Sequence, residues 1–200
     1  MKKLIVDFIP FVVTPQMIKE SMNKNHGRLI VGGVLQRVNS KNQNGRIYPR
    51  PILEREVKKY YPLIKERRAL GELDHPESTV VNLANVSHLI TEVKWENDDL
   101  VGTIEVLDTP SGNILRKLFE AQVKLGISSR GLGSVRELDE ETVEVNDDFD
   151  LIAWDFVSNP STHGAFMSPL AEGIDKQLSE QIVCRSKVEC LIRDILIDLK

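Results

Sequence analysis

Cysteine is nearly missing from this chain: Cys184 and Cys190 are the two it has, with five residues between them in a stretch patterned as a helix. So few exclude a disulfide framework and fall short of the four ligands of a structural zinc site. Both thiols are expected to be reduced, which makes an intracellular setting the default. Long apolar runs are missing as well. No stretch approaches the roughly 20 apolar residues of a membrane span. The opening MKKLIVDFIPFVV has the lysines and apolar run of a signal peptide. Asp7 and Pro10 interrupt that run, however, and no small-residue cleavage site follows. We read it as a core-forming strand or arm. Aromatic residues make up 6% and the net charge is -4, so the basic stripe with interleaved aromatics that binds nucleic acid is absent. There is no internal repeat. What remains is 200 residues, enough for one domain with a substantial core or a compact domain plus a tail.

The chain does contain a succession of strands and helices. RLIVGGVLQRV (28–38) is β-branched and apolar, a strand in which Gly32 and Gly33 permit a bulge or a close backbone approach. A polar loop with an Asn44-Gly45 turn follows. A helix is then expected from Pro51, with Leu53, Val57 and Tyr60 on its apolar face and Pro62 as its stop. ALGELDHP reads as extended, because Pro76 disfavours α-geometry at His75. SHLITEVKW and LVGTIEVL alternate on either side of residues 96–99 and predict a hairpin. Thr109 and Pro110 have the chemistry of an N-cap and first helical position, with Ile114, Leu118, Ala121 and Leu125 at the spacing of a buried face and Gly126 as terminator. From Glu137 to Asp150 there are eight acids and no Lys or Arg, read as a solvated hairpin or loop. FDLIAWDFV follows as a strand covered on both sides. Residues 175–200 are patterned as an amphipathic helical tail.

Histidine is scarce, four in all: His26, His75, His88 and His163. His75, rigidly flanked in GELDHP and close to acids, is the most suggestive. GISSRGLGS (126–134) sets two serines beside an arginine among three glycines, and it is not a G-x-S-x-G elbow. A serine hydroxyl needs a base to take its proton, and an imidazole base needs a third group to fix its tautomer. His75, Ser128 and Asp155 are candidates for these roles. Asp155 is the lone charge on an apolar strand face, where an unpartnered carboxylate would cost several kcal/mol. It must therefore hold a partner: a histidine for chemistry, or an arginine for stability alone. Ser128 and Ser129 point to opposite faces, and Arg130 shares the face of Ser128. That arginine has three readings: oxyanion stabiliser, organiser of a backbone amide, or partner of an acidic substrate side chain.

In this order, NQNGRIYPRPILEREV, ALGELDHP, NLANVSHLITEV, LGISSRGLGSV and DLIAWDFVSNPS resemble the prohead core proteases of T-even-like tailed phages. The resemblance runs from about Gly32 to Pro160 and rests most on GELDHP and ISSRGLGS. It implies an α+β fold, a small β-barrel of mostly antiparallel strands surrounded by helices, as in the herpesvirus capsid-maturation proteases. We divide the chain into a protease domain over 1–167 and a helical C-terminal tail over 168–200. Activity would be that of a serine endopeptidase acting on phage scaffold and major capsid proteins inside the prohead, assembled in the host cytoplasm. No cofactor, metal, nucleic acid or membrane is implied.

By motif the resemblance makes His75 the general base and Ser128 the nucleophile, with Ser129, Arg130 and Gly131 beside the oxyanion and substrate site. Herpesvirus relatives use a second histidine after the nucleophile. The matching region here holds Asp155 instead, which we take as third member, with His88 as its competitor. The phage family is similar in cutting after glutamate, at sites such as Leu/Ile-x-Glu before Ala or Gly. Two such sites occur: LAEG, with Glu172 and Gly173, and LFEA, with Glu120 and Ala121. The first is expected to release the tail and the second to serve later self-destruction. For the substrate glutamate, Arg130, Arg46, Arg67 and Arg68 are the candidate cations. Herpesvirus relatives act as dimers, and the sequence leaves open whether this chain does. A non-catalytic scaffold component that kept the fold is the competing class.

Overall fold

The computed structural model describes residues 13–170. Among these, three helices and ten strands form an α+β arrangement whose ladders are almost all antiparallel. The largest sheet has the order β10-β1-β5-β4-β3, where β1 is Leu29–Arg37, β3 Leu70–Glu72, β4 Val86–Glu96, β5 Asp99–Val106 and β10 Ser168–Pro169. A two-stranded sheet joins β6, Gly126–Leu132, to β9, Asp150–Val157. A third sheet holds β2, Arg46–Ile47, against the acidic hairpin formed by β7, Val135–Asp139, and β8, Thr142–Val145.

The expected barrel is not found as a continuous cylinder of hydrogen bonds. Among the described residues the two sheets that surround the core meet at seams made by single bridges, Leu73 with Phe156 and Gly126 with Phe166. The strands beside these seams are short or irregular, so the ladders stop there. One seam matters for function, because it brings the end of β3, and with it residues 73–75, onto β9.

Three helices cover the core. In α1, Pro15–Lys24, the Thr14 hydroxyl accepts the Met17 amide and Pro15 starts the helix. Its buried Ser21 ties it to β1 by exchanging hydrogen bonds with both backbone groups of Ile30. Helix α2, Arg50–Lys65, buries Leu53, Val57 and Tyr60 as expected but does not stop at Pro62. Pro62 is exposed, so water can satisfy the carbonyl that loses its donor, while Leu63 and Ile64 pack on the core and retain the last turn.

Helix α3, Pro110–Glu120, has the expected Thr109 cap, with the hydroxyl accepting the Gly112 amide. Its buried face is a different one. Gly112, Leu115 and Phe119 point inward, whereas Ile114 is exposed. The helix also ends at Glu120, short of the expected terminator Gly126, which instead opens β6. Gly112 decides the face, since a Cβ there would collide with the carbonyls of Leu107 and Ser87. The helix can therefore lie close on the sheet only through that side, which carries Leu115 and Phe119 inward.

The hairpin between β4 and β5 forms as expected, turning at Asn97 and Asp98. In β1 the bulge falls between Val34 and Gln36, and the glycine pair serves close backbone approach instead, since a Cβ on Gly33 would strike the Phe166 carbonyl. A single large apolar cluster unites the strands and helices, with Trp154, Phe156, Phe119, Ile127 and Leu115 among its buried members. No described helix is long and apolar enough to cross a membrane.

Candidate active site

Strand β9 is the platform of the site. Its residues 153–157 are all buried, in keeping with an apolar strand covered on both faces. Asp155 is fully buried within it. Four donors surround this carboxylate. His75 Nδ1 lies 3.1 Å from Oδ2, Arg130 Nε donates to Oδ2 at 2.8 Å and a terminal nitrogen of Arg130 to Oδ1 at 3.2 Å. The Glu72 amide donates to Oδ1 at 3.1 Å. Burial alone would raise the Asp155 pKa, but the hydrogen bonds from His75, Arg130 and the Glu72 amide outweigh it and hold the carboxyl below its ordinary range. The two sequence readings of Asp155, a histidine partner and an arginine partner, are both realised on one carboxylate.

His75 reaches that carboxylate because the chain bends sharply after β3. Asp74 takes the left-handed conformation, φ 59°, and its amide is held by the Phe156 carbonyl at 2.8 Å. The ring is 41% exposed while its partner is wholly buried, so one edge faces the protein and the other faces solvent. An ionised carboxylate only accepts hydrogen bonds. Nδ1 is therefore the donor, and in the neutral ring Nε2 carries the lone pair. The ring is thereby set up to accept a proton on its outer side.

Ser128 lies directly opposite Asp155 in the β6–β9 register. Its side chain is nearly buried, and its hydroxyl is 2.8 Å from that of Ser161. Among the described residues its hydrogen-bond partner is Ser161 and not the His75 ring. Ser161 follows β9 in a loop tied to residues 42–46: the Gln43 amide bonds the Ser161 carbonyl, and the Gln43 side chain bonds the Pro160 carbonyl, each at 2.9 Å. Ser129 is half-buried and Gly131 is exposed, and the ladder slips between Arg130 and Gly131.

The guanidinium of Arg130 is turned into the protein. Besides Asp155 it bonds Glu72 Oε1 at 3.0 Å and the Ser78 carbonyl at 2.8 Å, with 7% of the side chain exposed. Burial works against its charge, but Asp155 and Glu72 outweigh it and keep it protonated. Glu72, almost fully buried, also accepts the Asn82 amide at 3.1 Å. Arg130 and Glu72 thus pin the loop that carries His75 at two further points. Of the other arginines considered for a substrate carboxylate, Arg67 pairs with Glu105 and Arg68 with Glu66. Arg46 is exposed on β2, at the end of the loop that touches Ser161.

Glu72 and Ser161 escaped the sequence reading. Glu72 was open to the argument used for Asp155, a charge in an extended apolar segment. Nothing local marks Ser161, which meets Ser128 across 33 residues of sequence.

His88, the competitor of Asp155, is a core residue. Its Nε2 meets the Trp154 carbonyl at 2.9 Å, its Nδ1 meets the Ser87 hydroxyl at 2.8 Å, and its ring stands edge-on to Phe156. Gly71 makes room for it, since a Cβ at that position would strike the imidazole. Burial pushes the His88 pKa down to about 4. The unfolded chain, near the ordinary value of about 6.5, binds the proton first as pH falls. Stability from this group is complete above about pH 6.5 and is lost as the pH drops towards 4. Between pH 7.5 and 5 the loss should be about 2 kcal/mol. Denaturant titrations of wild type and His88→Gln at both pH values check this: the variant should lose less stability on acidification, and equal losses would remove the assignment.

Among the described residues no group of three or more His, Cys, Asp or Glu side chains is arranged to hold a metal ion. Glu120 is the last residue of α3 and Ala121 its C-cap. Ser168 and Pro169, assigned to the helical tail, instead form β10 against β1, while Glu172, Gly173 and the rest of the tail lie outside the described residues.

Comparison with known proteins supplies the family. Residues 3–175 match the family model described as prohead core protein serine protease. The chain is 34% identical over 145 residues to the prohead core protein protease of Enterobacteria phage T4, covering 70% of this chain and 68% of that one. It is also similar to the solved structure of the bacteriophage T4 capsid assembly protease, with a TM-score of 0.61 and 32% identity over 64% of this chain and 80% of the other. A family match across most of the chain, with a relative above 30% identity, leads to one conclusion: the chain belongs to the prohead core protein serine proteases.

Proposed function

We propose that this chain is a serine endopeptidase that cuts scaffold and major capsid proteins inside a phage prohead, after glutamate, and that it also cuts itself. Ser128 is the nucleophile, His75 the general base and Asp155 the group that orients the base. The observation that carries this reading is the position of Asp155, hydrogen-bonded to His75 and paired in strand register with Ser128. The family and the names of its T4 relatives supply the prohead setting.

In the proposed reaction the Ser128 O–H proton points to His75 Nε2 and is given up as Oγ attacks the scissile carbonyl. Main-chain amides around Ser129, Arg130 and Gly131 hold the oxyanion, where the slipped ladder leaves the backbone irregular. The imidazolium then protonates the leaving amine. Water, deprotonated by the same ring, attacks the acyl-enzyme and releases Ser128. Asp155, Glu72 and Arg130 together carry one net negative charge, which stabilises the imidazolium between the two proton transfers. General acid-base help of this kind typically contributes about 10²–10⁴-fold.

Arg46 is the cation we place against the substrate glutamate, because Arg130, Arg67 and Arg68 are engaged with protein carboxylates. Self-cleavage after Glu172 would release the tail. Cleavage after Glu120 would come later: Phe119 beside it is fully buried, so the end of α3 must unwind first. That cut would also leave His75 on one fragment and Ser128 with Asp155 on the other.

The test is turnover of matched peptides carrying Glu or Gln before the scissile bond, with intact mass followed in parallel. Wild type should cut the Glu peptide preferentially and shorten itself, and Ser128→Ala should do neither. Arg46→Gln should lose about tenfold of the Glu preference. Cleavage by the Ser128→Ala chain at the wild-type rate would overturn the proposal.

A further inference from the structure

The contact between Ser128 and Ser161 has a chemical consequence beyond holding a loop. We propose that Ser161 is a second hydroxyl of the reaction centre, donating a hydrogen bond to Ser128 Oγ as that oxygen becomes nucleophilic. The inference rests on Ser128 being the nucleophile. The two oxygens are 2.8 Å apart, and either is able to donate. Only one direction suits catalysis. If Ser128 donates, its proton points at Ser161 and is withheld from His75. If Ser161 donates, the Ser128 proton is free for His75 Nε2, and the donated bond offsets charge developing on Oγ. A hydrogen bond to a charged oxygen is stronger than one to a neutral hydroxyl, so its benefit is greatest while Oγ is losing its proton.

The fold fixes Ser161 for this task. Its carbonyl is held by the Gln43 amide, the neighbouring Pro160 carbonyl is held by the Gln43 side chain, and the next residue, Thr162, is buried. The Ser161 hydroxyl is anchored from behind and directed at one atom. Its donation leaves the second lone pair of Ser128 Oγ for attack on a carbonyl.

The proposal is tested on the full chain with diisopropyl fluorophosphate, a small probe that needs no peptide-binding loop. The Oγ–P bond forms, the P–F bond breaks, fluoride leaves, and the Ser128 proton passes to His75. Labelling is followed by mass spectrometry beside peptide kinetics. Ser161→Ala should label about tenfold more slowly, with peptide kcat reduced alike and KM unchanged. Ser161→Thr, which keeps the hydroxyl, should restore labelling to within about threefold of wild type. Gln43→Ala removes one of the loop's two ties but keeps the backbone bond to Ser161 and the hydroxyl itself, so it should slow labelling by less than about threefold. Where alanine disturbs folding, Ser161→Cys, close in shape but a weak donor, should show the same slowing. Wild-type labelling by Ser161→Ala, or slowing by Gln43→Ala equal to that of Ser161→Ala, would overturn the inference. Labelling of Ser128→Ala at the wild-type rate would instead remove the nucleophile assignment beneath it.

Discussion

Asp155→Asn should lower kcat on a peptide substrate by about 10²–10⁴-fold while the chain stays folded. The reason lies in the tautomer. The carboxylate only accepts, which makes His75 Nδ1 the donor and leaves the lone pair on Nε2. An asparagine amide can offer an N–H to Nδ1 instead, and the proton then moves to Nε2, where it blocks uptake from Ser128. The defect should be in kcat rather than KM, because the group touches the base and not the substrate. Peptide kinetics with melting curves for wild type and variant decide the matter. A variant within tenfold of wild type would show that Asp155 serves stability alone.

The two partners of Asp155 explain why the site was only partly legible in the sequence. A charge among Phe149, Leu151, Ala153 and Val157 on one strand face had to have a partner, and so Asp155 could be picked out without any contact being known. His75 stood out because Pro76 and the neighbouring acids left it few conformations. The role of Arg130 was not legible. Alternation placed it on the face of Ser128 but could not say whether its long side chain turned outward to substrate or inward to Glu72 and Asp155. Partners 25 and 58 residues away decide that, and no local pattern encodes them.

The same limit applies to the helices. Two apolar stripes run along α3, and the expected one contains Ile114 and Leu118. The other wins because Gly112 permits a close approach to the sheet, a property of the pair of surfaces and not of the helix. In α2 the proline rule gave a boundary at Pro62 that tertiary contacts of Leu63 and Ile64 overrode. Caps, hairpin turns and strand cores were readable because their causes lie within a few residues of each other.

Arg130→Met is expected to cost about 3–5 kcal/mol of stability, because it strips the positive charge from two carboxylates that remain buried. Asp155 is fully buried and Glu72 nearly so, and among the described residues Glu72 Oε2 already lacks a partner. For a domain of this size the loss corresponds to a fall in Tm of roughly 6–20 °C. Without the guanidinium, burial and repulsion from Glu72 should raise the Asp155 pKa above that of the unfolded chain. A raised folded pKa contributes stability below the unfolded value, about 4, that is lost as pH rises through the folded value. The penalty should therefore grow from acid towards neutral pH. Adding Glu72→Gln to Arg130→Met removes one of the stranded charges and should recover part of the loss, whereas Glu72→Gln alone should destabilise. That opposite sign in a double-mutant cycle is the signature of a coupled charge cluster. Additive effects, or a Tm for Arg130→Met within about 2 °C of wild type, would mean that the guanidinium does not neutralise the pair, and the positioning of His75 would need another cause.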